Sequence, residues 1–435
     1  MSTDRVAVVG TTSDYVALLD ERRPGRALFI TDQAERAKAA EPSPDAASEV
    51  LCDLTDFPAV LSAVQSHLKR YKQRLTGVAC FDCESMALAS HLARAFGLPY
   101  PSLQAVQACR SKFLSKSLWQ RAGVPAPQVA IAQSPDEARQ LFAKLGGPVV
   151  LKPLTGSGSE LVFVCRTEAE LCDAFHTAQA RLAEHPDTRM YARHKGSADN
   201  LDPRRVVVLE EFVKGTEYSA DFLLESGRAS IIRVARKIPA PALSPGTILA
   251  YEVPAALPSS VDESALAPVL SAAAAAGGIE RSICMADFIL RDAQAVFLEI
   301  APRPGGDCLP PLILHAGNFD ILGATLDLAE GRLVQVPPRD KWRRCVGLRL
   351  FATQEGTIHM IDDRRIRSDA RVLECHLKHG PGHTVVLPPL DYESRLLGHV
   401  IFQPDEDRPI EVQCGELAAQ LNLEIDPSQC ATRTS

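Results

Sequence analysis

Three signatures are missing from this 435-residue chain: a dinucleotide-binding glycine fingerprint, a Walker phosphate loop and a regular cysteine framework. Gly10-Thr11-Thr12-Ser13 follows the first apolar run without the spaced glycines of G-x-G-x-x-G, and reads as a plain turn. Thr155-Gly156-Ser157-Gly158-Ser159 lacks the Lys-Ser/Thr pair that would complete a P-loop. The 12 cysteines have no repeating spacing, and Met1 to Asp4 leads directly into Val6-Ala7-Val8-Val9 without a basic region and a long apolar run. No secretory signal and no disulfide scaffold are therefore expected, and reduced thiols in a cytoplasmic protein are. No membrane span is indicated, and a net charge of −7 supplies no basic surplus for nucleic acid. Cys80-Phe81-Asp82-Cys83 has no second pair or matching histidines for zinc, and Gly380-Pro381-Gly382 breaks the spacing of His376, His379 and His383, so neither group is expected to hold a metal.

What is present is the composition of an ordinary globular protein, 46% hydrophobic and 23% charged. The length suggests about three domains of ~150 residues each. Over residues 1–110, β-rich runs (Val6 to Val9, Ala27 to Ile30, Gly77 to Phe81) alternate with helical stretches (Phe57 to Arg70, Ser85 to Phe96), the pattern of a parallel α/β domain. A helix from Leu103 to Ala122 leads into an α+β region over 111–331. Its expected parts are a helix over 135–145, strands Val149 to Lys152 and Leu161 to Cys165, a helix over 167–183, and a polar loop over 184–204. Strands Val206 to Leu209, Tyr218 to Leu224 and Ala229 to Lys237 follow, then a Pro-rich loop from Pro239 to Pro258 and a helix over 262–276. Residues 332–435 read as a small β-rich cap, with strands at 345–352, 357–361, 383–387 and 398–402 and a short helix near 415–422.

The chemistry starts from two acids. Between Met285 and Arg303 the even positions Phe288, Leu290, Val296, Leu298 and Ile300 are apolar, which is strand periodicity around the polar turn Arg291-Asp292-Ala293-Gln294. A turn centred on Ala293 puts Asp287 opposite Glu299 on the other face, with β-carbons roughly 5 Å apart. Like charges that close need a cation between them, and Mg²⁺, which also holds phosphate, suits two carboxylates. Lys152 lies in an apolar strand and needs an anionic partner. It precedes the Gly156-Ser157-Gly158-Ser159 segment, whose glycines allow close backbone approach to a polyanion. Glu210-Glu211-Phe212-Val213 ends a buried strand and offers backbone groups to an adenine edge, and Glu217 offers a carboxylate to ribose hydroxyls. Lys112, Arg233 and Lys237 are further candidate cations.

In this order, Lys112, Gly123-Val124-Pro125-Ala126-Pro127, Lys152-Pro153 with its Gly/Ser turn, Glu210 to Glu217, Asp287 and Glu299-Ile300-Ala301-Pro302-Arg303-Pro304-Gly305-Gly306-Asp307 resemble the ATP-grasp superfamily of carboxylate-amine ligases. The resemblance extends over residues 1–402 and is strongest to bacterial L-amino acid ligases and related amide synthetases. It implies a Rossmann-like N-terminal domain, central ATP-grasp subdomains and a C-terminal cap. It also implies ATP and Mg²⁺ as cofactors, with Mn²⁺ as a substitute, small carboxylate and amine substrates, and a homodimer as the assembly open to it. Lys112 and Lys152 would hold nucleotide phosphates under a flap of residues 156–159. Glu211 and Val213 would read adenine, with Glu210 and Phe212 beside them, and Glu217 would bind ribose. Asp287 and Glu299 would hold the metal. Arg303, with Lys237, would face the transferred phosphoryl group, and Gly305 and Gly306 would present N–H groups to the carboxylate. The hairpin register adds Phe297 on the site face, against the base.

One departure stands out. The family's Glu-x-Asn is Glu299-Ile300-Ala301 here, and Asp287 replaces the usual Glu. Water or substrate then completes the Mg²⁺ shell, the alternative being impaired phosphoryl transfer. Two other readings are open at this level: a ligase or carboxylating enzyme of nucleotide metabolism, and a nucleotide-binding regulatory protein without turnover.

Overall fold

The computed structural model describes residues 2–193, 201–259, 261 and 263–427. Of the loop expected over 184–204, residues 194–200 lie outside the described residues, as does residue 262 at the start of the expected 262–276 helix, which is seen as Leu266–Ala276.

Four apolar runs make the first sheet. Its strands lie in the order Glu49–Cys52, Ala27–Asp32, Thr3–Val9, Gln73–Ala79, all parallel. Burial on both faces explains the unbroken hydrophobic character of residues 6–9 and 27–30 in the two central strands. The helix Ser13–Arg22 and the strand Glu49–Cys52 form where no element was expected, the helix burying only Val16 and Leu19. The chain crosses from one side of Thr3–Val9 to the other between the third strand and the fourth. The carboxyl ends of Thr3–Val9 and Gln73–Ala79 therefore flank a topological switch point, the usual crevice for ligands in such sheets.

The helix expected from Leu103 to Ala122 is two helices, Leu103–Arg110 and Lys112–Arg121. Ser111 breaks it with extended backbone (ψ 108°), and its hydroxyl accepts from the Leu114 N–H at 3.2 Å. Serine is a better N-cap than an interior helix residue. The break puts Lys112 in the first turn of the second helix, where its N–H donates to the Leu154 carbonyl.

An antiparallel four-stranded sheet follows, in the order Val129–Ala132, Val207–Glu211, Val149–Pro153, Phe163–Cys165. The largest sheet has eight strands: Gln294–Ala301, Ser282–Arg291, Thr216–Glu225, Arg228–Pro239, Ile248–Val253, Cys345–Phe351, Leu396–Phe402 and Val372–Leu377. Two expectations are corrected here. The Pro-rich loop contains the strand Ile248–Val253, and three strands from residues 332–435 continue this sheet where a separate small cap was expected. Only Thr384–Val385, Gly356–Asp362 and Asn422–Asp426 form a small sheet of their own.

The two faces of the large sheet differ. One buries Tyr218, Phe222, Val234, Phe288, Phe297 and Ile300 against Trp119 and the helix Leu266–Ala276. The other is apolar at one end, where Leu223, Ala235, Ile283 and Cys345 pack with the helices Leu309–Gly317 and Ile321–Ala329 and with the first domain. Its opposite end is polar, and the pairing Glu299↔Asp287, Asp287↔Ser219, Lys237↔Tyr251, Arg349↔His399 traces a charged stripe across the strands.

Candidate active site

Asp287 and Glu299 are directly opposite one another in the register. The hairpin turn is two residues, Asp292 and Ala293 (φ 50° and 65°), and pairs Arg291 with Gln294. That alone would offset the acids by one residue. A bulge between Phe288↔Phe297 and Asp287↔Glu299 leaves Leu298 as the extra residue and restores the pair. The two-residue turn places Phe297 opposite Phe288, and the bulge after it leaves Phe297 on the face away from the acids. Phe297 is fully buried, with ring centroids 5.8 Å from Phe288 and 6.1 Å from Trp119, so it is a core residue and not the base-packing residue expected.

Cations surround the acids. Lys237 Nζ lies 2.7 Å from Asp287 Oδ2 and 2.5 Å from Glu217 Oε1. Burial disfavours its charge, but Asp287 and then Glu217 outweigh this and hold its ammonium well above the usual lysine range. Burial pushes Asp287 up to about 6, with Lys237 opposing and Glu299 and Glu217 adding repulsion. Glu299 is held below the ordinary range: burial acts against its charge, and Lys112, Lys237, Lys116 and Lys152 together exceed it. Two buried acids on paired strands form a donor set that suits a hard divalent cation. Among the described residues no group of three His, Cys, Asp or Glu converges to hold a metal.

Beside this pair lies a second charge cluster around Glu210. Its side chain is 1% exposed, with Lys116 Nζ at 2.9 Å and Lys152 Nζ at 2.7 Å. Burial would raise Glu210, yet the two lysines lower it to about 2. Glu210 is thus the anchor for Lys152, a role the sequence motif did not reveal. Lys116 is fully buried, also donates to the Leu298 carbonyl at 2.5 Å, and is pulled down by burial in spite of Glu210. Lys112 Nζ donates to the Gly156 carbonyl at 3.0 Å, tying the flap to the helix, and burial brings it down to about 8. Elsewhere in the flap, Gly156 and Gly158 have φ of 129° and 64°, Ser157 O accepts from Glu160 N, and Ser159 Oγ donates to Gly246 O at 2.8 Å.

The hinge after the strand Val207–Glu211 is partly engaged already. Glu211 N–H donates to Gln128 O and Phe212 N–H to Pro148 O, while the Glu211 carboxylate meets Arg291 at 2.8 Å. An adenine edge would therefore meet the carbonyls here and the Val213 backbone. Phe212 is partly exposed and Val213 is buried.

At the other end of the site, Arg303 Nη2 and Nε lie 3.0 and 3.3 Å from Cys83 Sγ, which brings the chain just beyond the first sheet's last strand to Arg303. Gly305 departs from expectation. Its N–H donates to Asp221 Oδ1 at 2.7 Å, so it is already engaged, and Asp221 is itself paired with Arg233 at 2.6 Å, both fully buried. A Cβ at Gly305 would come within 2.7 Å of Leu309 Cδ1 and 2.9 Å of Arg233 Nη2, whereas the nearest atom to one at Gly306 is Arg303 Nη1 at 3.7 Å. Gly305→Ala is accordingly expected to cost ~1–3 kcal/mol in urea unfolding through overpacking. A neutral result would show that the segment yields.

Sequence reasoning missed Lys116, although it lies one helical turn after Lys112. It also missed Asp307–Arg349 (2.5 Å) and Tyr15, whose hydroxyl donates to the Asp307 carbonyl at 3.0 Å.

The site thus combines an extended antiparallel sheet carrying paired acids with lysines from the neighbouring helix and sheet and a Gly/Ser turn. Residues 145–311 match the ATP-grasp domain family. ATP and Mg²⁺ are the cofactors of that superfamily. Among curated relatives, an uncharacterized protein y4rH of Sinorhizobium fredii is 28% identical over 72% of this chain, which spans 61% of that relative's length. A D-alanine–D-alanine ligase of Acidovorax ebreus is 26% identical over 54% of this chain and 70% of its own. The L-amino acid ligase of Bacillus licheniformis shares the fold over 98% of this chain and 100% of its own, with a TM-score of 0.76 at 17% identity.

Proposed function

We propose that the protein is an ADP-forming, Mg²⁺-dependent ligase that activates a carboxylate as its acyl phosphate and couples it to an amine, with amino acids the first substrates to try. The observation that carries this is the convergence on Glu299 of charges from several elements: Asp287 and Lys237 on the same sheet, Lys112 from the adjoining helix, Lys152 from the four-stranded sheet and Arg303 from the segment after the hairpin. Asp287 and Glu299 would hold Mg²⁺, which supplies charge neutralisation along the phosphates. Lys112 and Lys152 are placed to neutralise phosphate oxygens, and Arg303 to meet charge developing on the transferred group. Closure of the flap would exclude water from a mixed anhydride that water destroys.

The nucleotide-metabolism alternative needs a phosphate cradle at Gly10 to Ser13. There the Thr11 N–H already donates to Asp82 Oδ2 at 2.8 Å, and a carboxylate in that position disfavours an anion.

The reading is tested with ATP, Mg²⁺, single amino acids and hydroxylamine, which traps acyl phosphates as hydroxamates. Acid-dependent hydroxamate and ADP in equal amounts are expected with at least one acid. ATP turnover that ignores the acid, or none at all, would refute it.

A further inference from the structure

The switch-point crevice of the first sheet opens toward Arg303, and its acids are not equivalent. Asp82 is fully engaged: Oδ2 accepts from the Thr11 N–H at 2.8 Å and from Ser85 Oγ at 3.0 Å, and Oδ1 accepts from the Ser85 N–H at 2.6 Å. Asp187 Oδ1 accepts from the N–H groups of Arg189 and Met190. Glu84 lies in the same turn as Asp82, directly after the Cys83 whose sulfur meets Arg303. Its carboxylate accepts from its own backbone N–H and makes no other hydrogen bond or ion pair among the described residues, and Asp82, Asp187 and Arg303 are the charges that weigh most on it. Burial, with the two aspartates adding to it and Arg303 opposing, brings its carboxyl up to about 7.

A half-buried acid whose carboxylate meets only its own backbone N–H, next in sequence to the cysteine that touches Arg303 and in the field of that arginine, is a place for a cation that must come and go. The amine substrate of a ligase is one, since it arrives as an ammonium ion and reacts only after losing a proton. Resting on the ligase reading above, we infer that Glu84 receives the incoming ammonium group and removes its proton as general base.

The step balances. R–NH₃⁺ gives one proton to the Glu84 carboxylate, and the freed nitrogen pair forms the C–N bond at the acyl carbon. The bond from that carbon to the phosphate oxygen breaks, phosphate leaves with its electron pair, and it takes the second proton lost by the nitrogen. Glu84 then returns its proton to solvent.

Glu84→Gln keeps size and polarity and removes the base. Hydroxylamine is uncharged at neutral pH and needs no such base, so it separates acyl activation from amine deprotonation. The expected result is ~10²-fold or greater loss of amide formation with amino acid amines, while acid-dependent hydroxamate stays within ~3-fold of the parent. Equal loss of hydroxamate and amide would overturn the assignment by placing Glu84 in acid binding or in the fold, as would amide formation at the parent rate. No hydroxamate from the parent with any acid would bring down the ligase reading, and this inference with it.

Discussion

Glu299→Gln is expected to lower acid-dependent ADP release by ~10³-fold, the scale of losing a preorganised charge at a phosphoryl-transfer site. Glu299 faces Asp287 across the hairpin and lies in the field of Lys112, Lys237, Lys116 and Lys152. Glutamine fills the same space without the charge. It removes one of two acids available to a metal, and it takes from Lys112, already brought down to about 8 by burial, its largest favourable charge. The hairpin is held by backbone pairing and by Phe288, Phe297 and Ile300 on the far face, so circular dichroism and cooperative unfolding should persist. Steady-state ADP release beside a thermal melt checks both halves. A folded variant retaining a tenth or more of parental turnover would exclude Glu299 as a metal ligand.

Glu210→Gln should act on stability first. It strips the counter-charge from Lys116, fully buried, and from Lys152, 13% exposed. Breaking a buried pair from one side costs ~3–5 kcal/mol. The sign with pH follows from the depressed carboxyl. Glu210 is ionised in the fold down to about 2, so its contribution is complete above the ordinary carboxylate range and is lost as pH falls toward that value. Urea unfolding at neutral pH and near pH 3 reads this directly: the parent loses stability on acidification, and the variant loses less because this component is already gone. A variant within ~1 kcal/mol of the parent at neutral pH would mean that water or rearrangement solvates the lysines.

How much of this was legible varies with the range of the signal. The pairing of Asp287 with Glu299 could be read from local alternation, but it holds through two offsetting features, a turn centred between Asp292 and Ala293 and a bulge at Leu298. Phe297 was misplaced for that reason, because one extra residue reverses every side chain beyond it. The parallel first sheet was visible through its two central strands, where residues 6–9 and 27–30 are unbroken apolar runs buried on both faces. The strand Ile248–Val253 was hidden by flanking prolines, and the continuity of Cys345–Phe351 with the central sheet has no local trace. Contacts such as Arg303 with Cys83, Tyr15 with Asp307 and Gly305 with Asp221 join segments remote in sequence. No spacing rule announces them, and they are what turn a set of motif residues into a site.

The central claim is that the paired acids and the lysines around them hold a magnesium nucleotide. Calorimetric titration of a non-hydrolysable ATP analogue, with Mg²⁺ and with a chelator, tests it most directly. The account predicts saturable, Mg²⁺-dependent binding that weakens at least ~10-fold, or ~1.4 kcal/mol, in Glu299→Gln. Absence of Mg²⁺-dependent heat from the folded parent at millimolar nucleotide would contradict it.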